Sequence, residues 1–243
     1  MTLARTLASS ATATAFALLG ASSAQAVPKL QLYIDGATYD SSTESWVTTD
    51  GTFDLWVIGN VDGPGGANGD PILDVKLAAA FVTGDAGSIT LTPKTTSTVT
   101  DPSTPGAPTY NGVSADGAVP LLSDGSPLAT HGIYEPGVSF YEWELGDFSL
   151  TDSPVGDFIN AFPGTLYANA GQINVYEVTI TGFSDGIHFD VYNHIEGANH
   201  STFGPFSHDV GAVPEPRATL LFGVGCLVAG ITGRSRRWPH AAA

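Results

Sequence analysis

The sequence predicts an all-β chain, folded as a single-domain antiparallel β-sandwich or jelly roll, and three observations predict it. Between residues 27 and 212 no apolar period of 3.6 survives beyond two turns. Short stretches rich in Val, Ile, Thr, Tyr, Phe and Trp recur there instead. Clusters of Gly, Pro, Asp and Asn separate them and supply the positive φ angles and Asx turns that reverse a chain.

The elements follow in order. Residues 29–33 alternate, with Leu30 and Leu32 on one face and Ile34 continuing it, since strand side chains point to opposite faces in turn. Residues 53–58 run apolar and aromatic until Gly59-Asn60, a turn signal. Stretches 88–92 and 95–100 are Thr-rich strand candidates. In stretch 139–145 the face with Tyr141, Trp143 and Leu145 reads as core, and the face with Glu142 and Glu144 as its opposite. Residues 173–181 and 187–195 complete the set. In the last, Ile187, Phe189, Val191 and Ile195 share one face and His188, Asp190, Tyr192, His194 and Glu196 the other. That alternation is the signature of a half-buried strand with a wet polar face. Residues 101–136, dense in Pro, Gly, Ser and Thr, read as a long surface excursion, and 157–166 have room for one helical turn.

Both ends read as targeting segments. Arg5, the weakly apolar residues 11–21 and Ala24-Gln25-Ala26 form a signal peptide with an A-x-A site, so signal peptidase would leave Val27 first. At the other end Val213-Pro214-Glu215-Pro216 precedes an uncharged run, 218–232, and then Arg234, Arg236 and Arg237. Fifteen helical residues span about 23 Å, short of the roughly 30 Å hydrocarbon core, so this is a weak membrane span. Arginines after the span leave the tail in the cytoplasm and the body on the far side. The division expected is 1–26, 27–212 and 213–238.

The body carries three lysines against twenty-three carboxylates, a formal net charge of −20. Neutralising phosphate requires Lys and Arg, so nucleic acid and anionic headgroups are excluded as partners. The lone cysteine, Cys226, lies in the C-terminal apolar run, so no disulfide is available to the body. It reads as a small apolar filler, with lipidation as the alternative.

The Pro-Glu-Pro break at 214–216, the weak span and the arginine cluster together resemble the PEP-CTERM sorting signal of Gram-negative bacteria. The resemblance implies an exosortase that recognises Pro214, Glu215 and Pro216 and cleaves near them. Residues 220–231 would hold the chain in the inner membrane until then, with Arg234, Arg236 and Arg237 fixing orientation. The destination implied is the cell surface or the extracellular, biofilm-associated matrix. Arg217 directly after the motif and a Trp238-Pro239-His240 tail depart from the pattern. In the body, LQLYIDGATY (30–39), SWVTTDGTFDLWVIGN (45–60), LLSDGSPLATHGIYEP (121–136), LGDFSLTDSPVGDFIN (145–160) and FGPFSHD (203–209) resemble the choice-of-anchor exported domains, N type. This implies an anchored surface domain and no particular chemistry.

Candidate chemistry is sparse. The loop 60–71, with Asp62, Asn68 and Asp70, offers oxygen ligands of the kind calcium takes, and Asp74 would be a distant addition. It lacks the D-x-[DN]-x-[DN]-G spacing and a closing Glu, so ordinary turn chemistry competes. No other cofactor is expected. His188 and His194 lie about 20 Å apart along a strand, too far to share a metal, and only His188 with Asp190 would converge. His131, His200 and His208 have no partner nameable from sequence. Glu142 and Glu144 have the spacing of a glycosidase pair, but a raised pKa and a sugar-sized cleft are needed as well. No G-x-S-x-G elbow accompanies the many serines. Trp46, Trp56, Trp143 and Tyr192 suit either sugar stacking or a core. The expectation is therefore a non-catalytic carbohydrate-binding or adhesive module facing extracellular polysaccharide. The alternative is an exported hydrolase acting on such a polymer.

Overall fold

A computed structural model describes residues 29–43, 45–62, 71–95, 108–113, 118–128, 137–158, 169–194, 202 and 209–212, and no helix occurs among them. The described residues form twelve strands: β1 (Leu30–Ile34), β2 (Thr38–Asp40), β3 (Ser45–Thr48), β4 (Thr52–Gly59), β5 (Ile72–Val82), β6 (Ser88–Thr95), β7 (Thr109–Val113), β8 (Val138–Phe148), β9 (Ser153–Val155), β10 (Asn169–Thr181), β11 (Ile187–Asn193) and β12 (Asp209–Ala212). One sheet has five strands in the order β1-β4-β10-β6, with β9 paired to the start of β10. The other has seven, in the order β2-β3-β12-β11-β5-β8-β7.

Neighbours are antiparallel except β3 and β12, which pair in parallel. That corrects the expectation of a wholly antiparallel fold. Parallel neighbours need a long crossover in place of a hairpin, and most of the domain lies between these two short strands.

Alternation along each strand assembles the core. Leu32, Phe53, Leu55, Val57 and Val178 of the five-stranded sheet join Leu77, Phe81, Trp143, Phe189 and Val191 of the seven-stranded sheet in one buried cluster. The Phe53 and Phe189 rings meet edge to face at 6.3 Å across it. Two sheets sharing an apolar core are consistent with a β-sandwich. Each large side chain so buried contributes about 1.5–3 kcal/mol relative to exposure.

Both outer faces are also covered in places. Residues 118–128 form a small hairpin: Leu122 N–H donates to Ser126 O at 2.8 Å and Leu128 N–H to Pro120 O at 2.8 Å. Gly125, at φ 78°, makes the reversal that a Cβ would strain. Leu122 and Leu128 pack on Ala78, Ala80, Phe140 and Tyr192 as a second, smaller cluster. The polar-face expectation for β11 fails: all seven of its residues are buried, Tyr192 of them beside this hairpin. Part of the 101–136 excursion is therefore a cover, and another part is strand β7. On the other sheet Gln31 is fully buried, its amide donating to Gly156 O at 2.9 Å and accepting from Phe158 N–H at 3.1 Å.

Three strands at sheet ends, β6, β7 and β2, resist further pairing. β6 carries Pro93 and Lys94, β7 is bulged and bears Gly112 at φ 108°, and β2 has three residues. Each of these devices blunts an exposed edge.

Candidate functional site

Strand β8 presents two chemically different faces, and the candidate residues divide between them. On the outer face, register sets Ala78 between Asp190 and Glu142, and Lys76 between Tyr192 and Glu144. Ala78 contributes only a methyl group, so Tyr192 reaches diagonally over it and its hydroxyl donates to Glu142 Oε2. Lys76 Nζ lies 3.8 Å from Oε1 of both Glu142 and Glu144. Asn111 Nδ2, from β7, donates to the same two atoms at 3.1 and 3.2 Å. Burial pushes the Tyr192 phenol well above its ordinary pKa, and the adjacent Glu142 carboxylate adds to this. Glu142 thus commits both oxygens to neighbouring strands, which is the work of a sheet clasp.

His188 and Asp190 converge, as their i, i+2 spacing predicts: Nε2 and Oδ1 are 3.4 Å apart and both residues are buried. His194 sits apart at the strand end, where its Nδ1 meets Leu121 O at 2.6 Å.

The calcium candidate is only partly described. Asp62 is exposed and its N–H donates to Ala170 O at 2.9 Å; Asn68 and Asp70 lie outside the described residues. Asp74 adopts φ 52°, and its N–H donates to Asp147 Oδ1 at 2.9 Å. Among the described residues no group of three or more His, Cys, Asp or Glu is placed to hold a metal ion. Ala24, Ala26, Pro214, Glu215, Pro216, Arg234, Arg236 and Arg237 also lie outside them, as does the C-terminal span. No helix among the described residues is long and apolar enough to cross a membrane.

Of the four aromatics that suit stacking, Trp46, Trp143 and Tyr192 are buried. Trp56 is half-buried against Tyr33 and Phe158, at 5.6 and 6.2 Å. The inner face of β8 supplies another candidate that sequence reasoning passed over. Tyr110 of β7 is 51% exposed and stacks on Tyr141 at 5.7 Å and 26°, with Trp143 at 5.9 Å. Tyr141 and Trp143 are themselves nearly parallel, 12° apart at 5.7 Å. Tyr141 is pinned by donating its hydroxyl to Gly87 O at 2.9 Å, which ties β8 to the start of β6. Partial burial, and Tyr141 beside it, raise the Tyr110 phenol pKa.

A hollow of about 620 Å³ lies among the turns around β2 and β3 and includes Asp40 and Asp50. Asp40 is already held by Ser42, whose hydroxyl and N–H donate at 2.7 and 2.8 Å and pull its pKa down. Comparison of the chain with protein-family models, curated proteins and solved structures found no match.

Proposed function

We propose that this protein is an exported surface or extracellular-matrix module that binds extracellular polysaccharide without turning it over. In this reading the N-terminal signal is cleaved after Ala26 and an exosortase acts at Pro214-Glu215-Pro216. The body is then a jelly-roll-like sandwich, held by a C-terminal transmembrane helix until processing. One observation carries the binding half: Tyr110, a large aromatic left half-exposed yet fixed in a stack of three rings. A ring with an apolar body and a polar tip is suited to a ligand that is itself both. Preorganisation by Tyr141 and Trp143 lowers the entropy lost on binding.

The test is electrophoresis of the full chain through native gels cast with and without extracellular polysaccharide, alongside an assay for new reducing ends. Retardation without new ends supports the reading. Unretarded migration overturns it, and release of reducing ends replaces it with the hydrolase.

A further inference from the structure

We infer that the flank between β6 and β7 is a subsite for neutral pyranose glycans, with Tyr110 as the stacking surface. The inference rests on the polysaccharide-binding reading above and adds a place and a ligand class to it.

The place follows from topology. β6 ends the five-stranded sheet and β7 the seven-stranded one, and the Tyr141–Gly87 hydrogen bond draws these ends together on one side. Register with Tyr176 and Val178 turns Pro93 and Leu91 of β6 toward the inner side. From the facing sheet come Tyr110, Tyr141, Trp143 and Leu145.

The ligand class follows from charge. None of these six side chains carries a carboxyl, ammonium or guanidinium group. Among the described residues Lys94 and Lys76 sit on outer faces and are paired, Lys94 with Asp54 at 2.8 Å and Lys76 with Glu142 and Glu144. Among the described residues no unpaired lysine or arginine is left there for a uronate, sulfate or phosphate, and a body of net charge −20 repels polyanions. A neutral pyranose instead offers C–H groups to the ring face and hydroxyls to its surroundings. Among the described residues β7 ends its sheet, so one side of its backbone faces away from β8, the side from which an edge strand meets a ligand.

A protein partner fits less well. Specific interfaces bury about 800 Å² on each side, and only one large apolar side chain is exposed here. Among the described residues the other two exposed ones, Leu73 of β5 and Leu121 of the 118–128 hairpin, lie by the end of β11, where Asn193 and His194 bind their carbonyls.

Affinity electrophoresis of the full chain with a neutral β-glucan, a galactomannan and alginate tests this, comparing wild type with Tyr110→Ala and Tyr110→Phe. The expectation is retardation by a neutral polymer, about tenfold weaker for Tyr110→Ala and nearly unchanged for Tyr110→Phe, as for an aromatic anchor. Tyr110 is half-exposed, so the alanine variant keeps its fold, which a melting curve verifies. Wild-type retardation of Tyr110→Ala sinks the subsite and leaves the binding reading standing. Retardation by alginate alone sinks the ligand class. Failure on every polymer sinks both the subsite and the reading on which it rests.

Discussion

Raising the pH above 10 should weaken the fold through Tyr176, which is fully buried in the core on β10. Its hydroxyl accepts from Asn174 Nδ2 at 3.3 Å, and Asn174 Oδ1 accepts from Gln172 Nε2 at 2.9 Å. Gln172 Oε1 in turn accepts from the N–H groups of Ser149 and Leu150, at 2.9 and 3.0 Å. This file of polar groups occupies successive inward positions of one strand, so a phenolate there would be a buried charge. Burial holds the phenol protonated and pushes its pKa up to about 12, against the opposing pull of the Asn174 hydrogen bond. The sign follows. Between the ordinary value of 10.0 and about 12 the unfolded chain has released this proton while the native chain keeps it. Stability present below pH 10 is therefore lost as pH rises through this window, on the order of 3 kcal/mol in all. Against a total of about 5–15 kcal/mol this is a large fraction. Tyr192, raised by burial and by Glu142, steepens the loss in the same direction. Urea midpoints measured from neutral pH upward should fall through this window, and Tyr176→Phe should flatten the fall at a neutral-pH cost of about 1 kcal/mol. A midpoint constant across the window, with every tyrosine titrating normally by phenolate absorbance, would refute the reasoning.

Three substitutions extend the test. Gly171→Ala would drive a Cβ against the Gly59 carbonyl oxygen and to 2.8 Å from Val155 Cγ2, where β4, β9 and β10 meet. Such overpacking costs about 1–3 kcal/mol or more, visible as a lower melting temperature, and an unchanged melt would mean the junction is looser than described. Tyr192→Phe strips Glu142 of its hydroxyl donor and should cost about 1.5 kcal/mol in denaturant unfolding. Trp143→Ala should cost about 3–5 kcal/mol and, by removing a ring behind Tyr110, weaken polysaccharide retention as well. Retention equal to wild type in that variant would separate Tyr110 from its stack.

Strands with clean alternation were legible. β4, β8, β10 and β11 coincide with apolar and aromatic stretches, and the Trp143 face of β8 is core as its neighbours suggest. β5 was not legible. Ala78, Ala79 and Ala80 disfavour a strand by propensity, and burial on both sides of that triplet erases the alternation. β2, β3, β9 and β12 have three or four residues each, too few to show a period. The β11 polar face misled for a related reason. Side-chain type reports what a face carries, and the cover over Tyr192 comes from a distant hairpin, residues 118–128. The histidine reading fared better, because strand rise alone separates His188 from His194 and brings Asp190 close. Tyr110 escaped notice because its surroundings read as loop. Its stack exists only through β7–β8 pairing, in which Tyr110 faces Trp143.

The intact mass of the protein recovered from its native surface or medium tests the central claim most directly. The account predicts a species that begins at Val27 and ends near Pro214-Glu215-Pro216, exported and processed. A species still carrying residues 1–26, or one retaining 220–237, would contradict it.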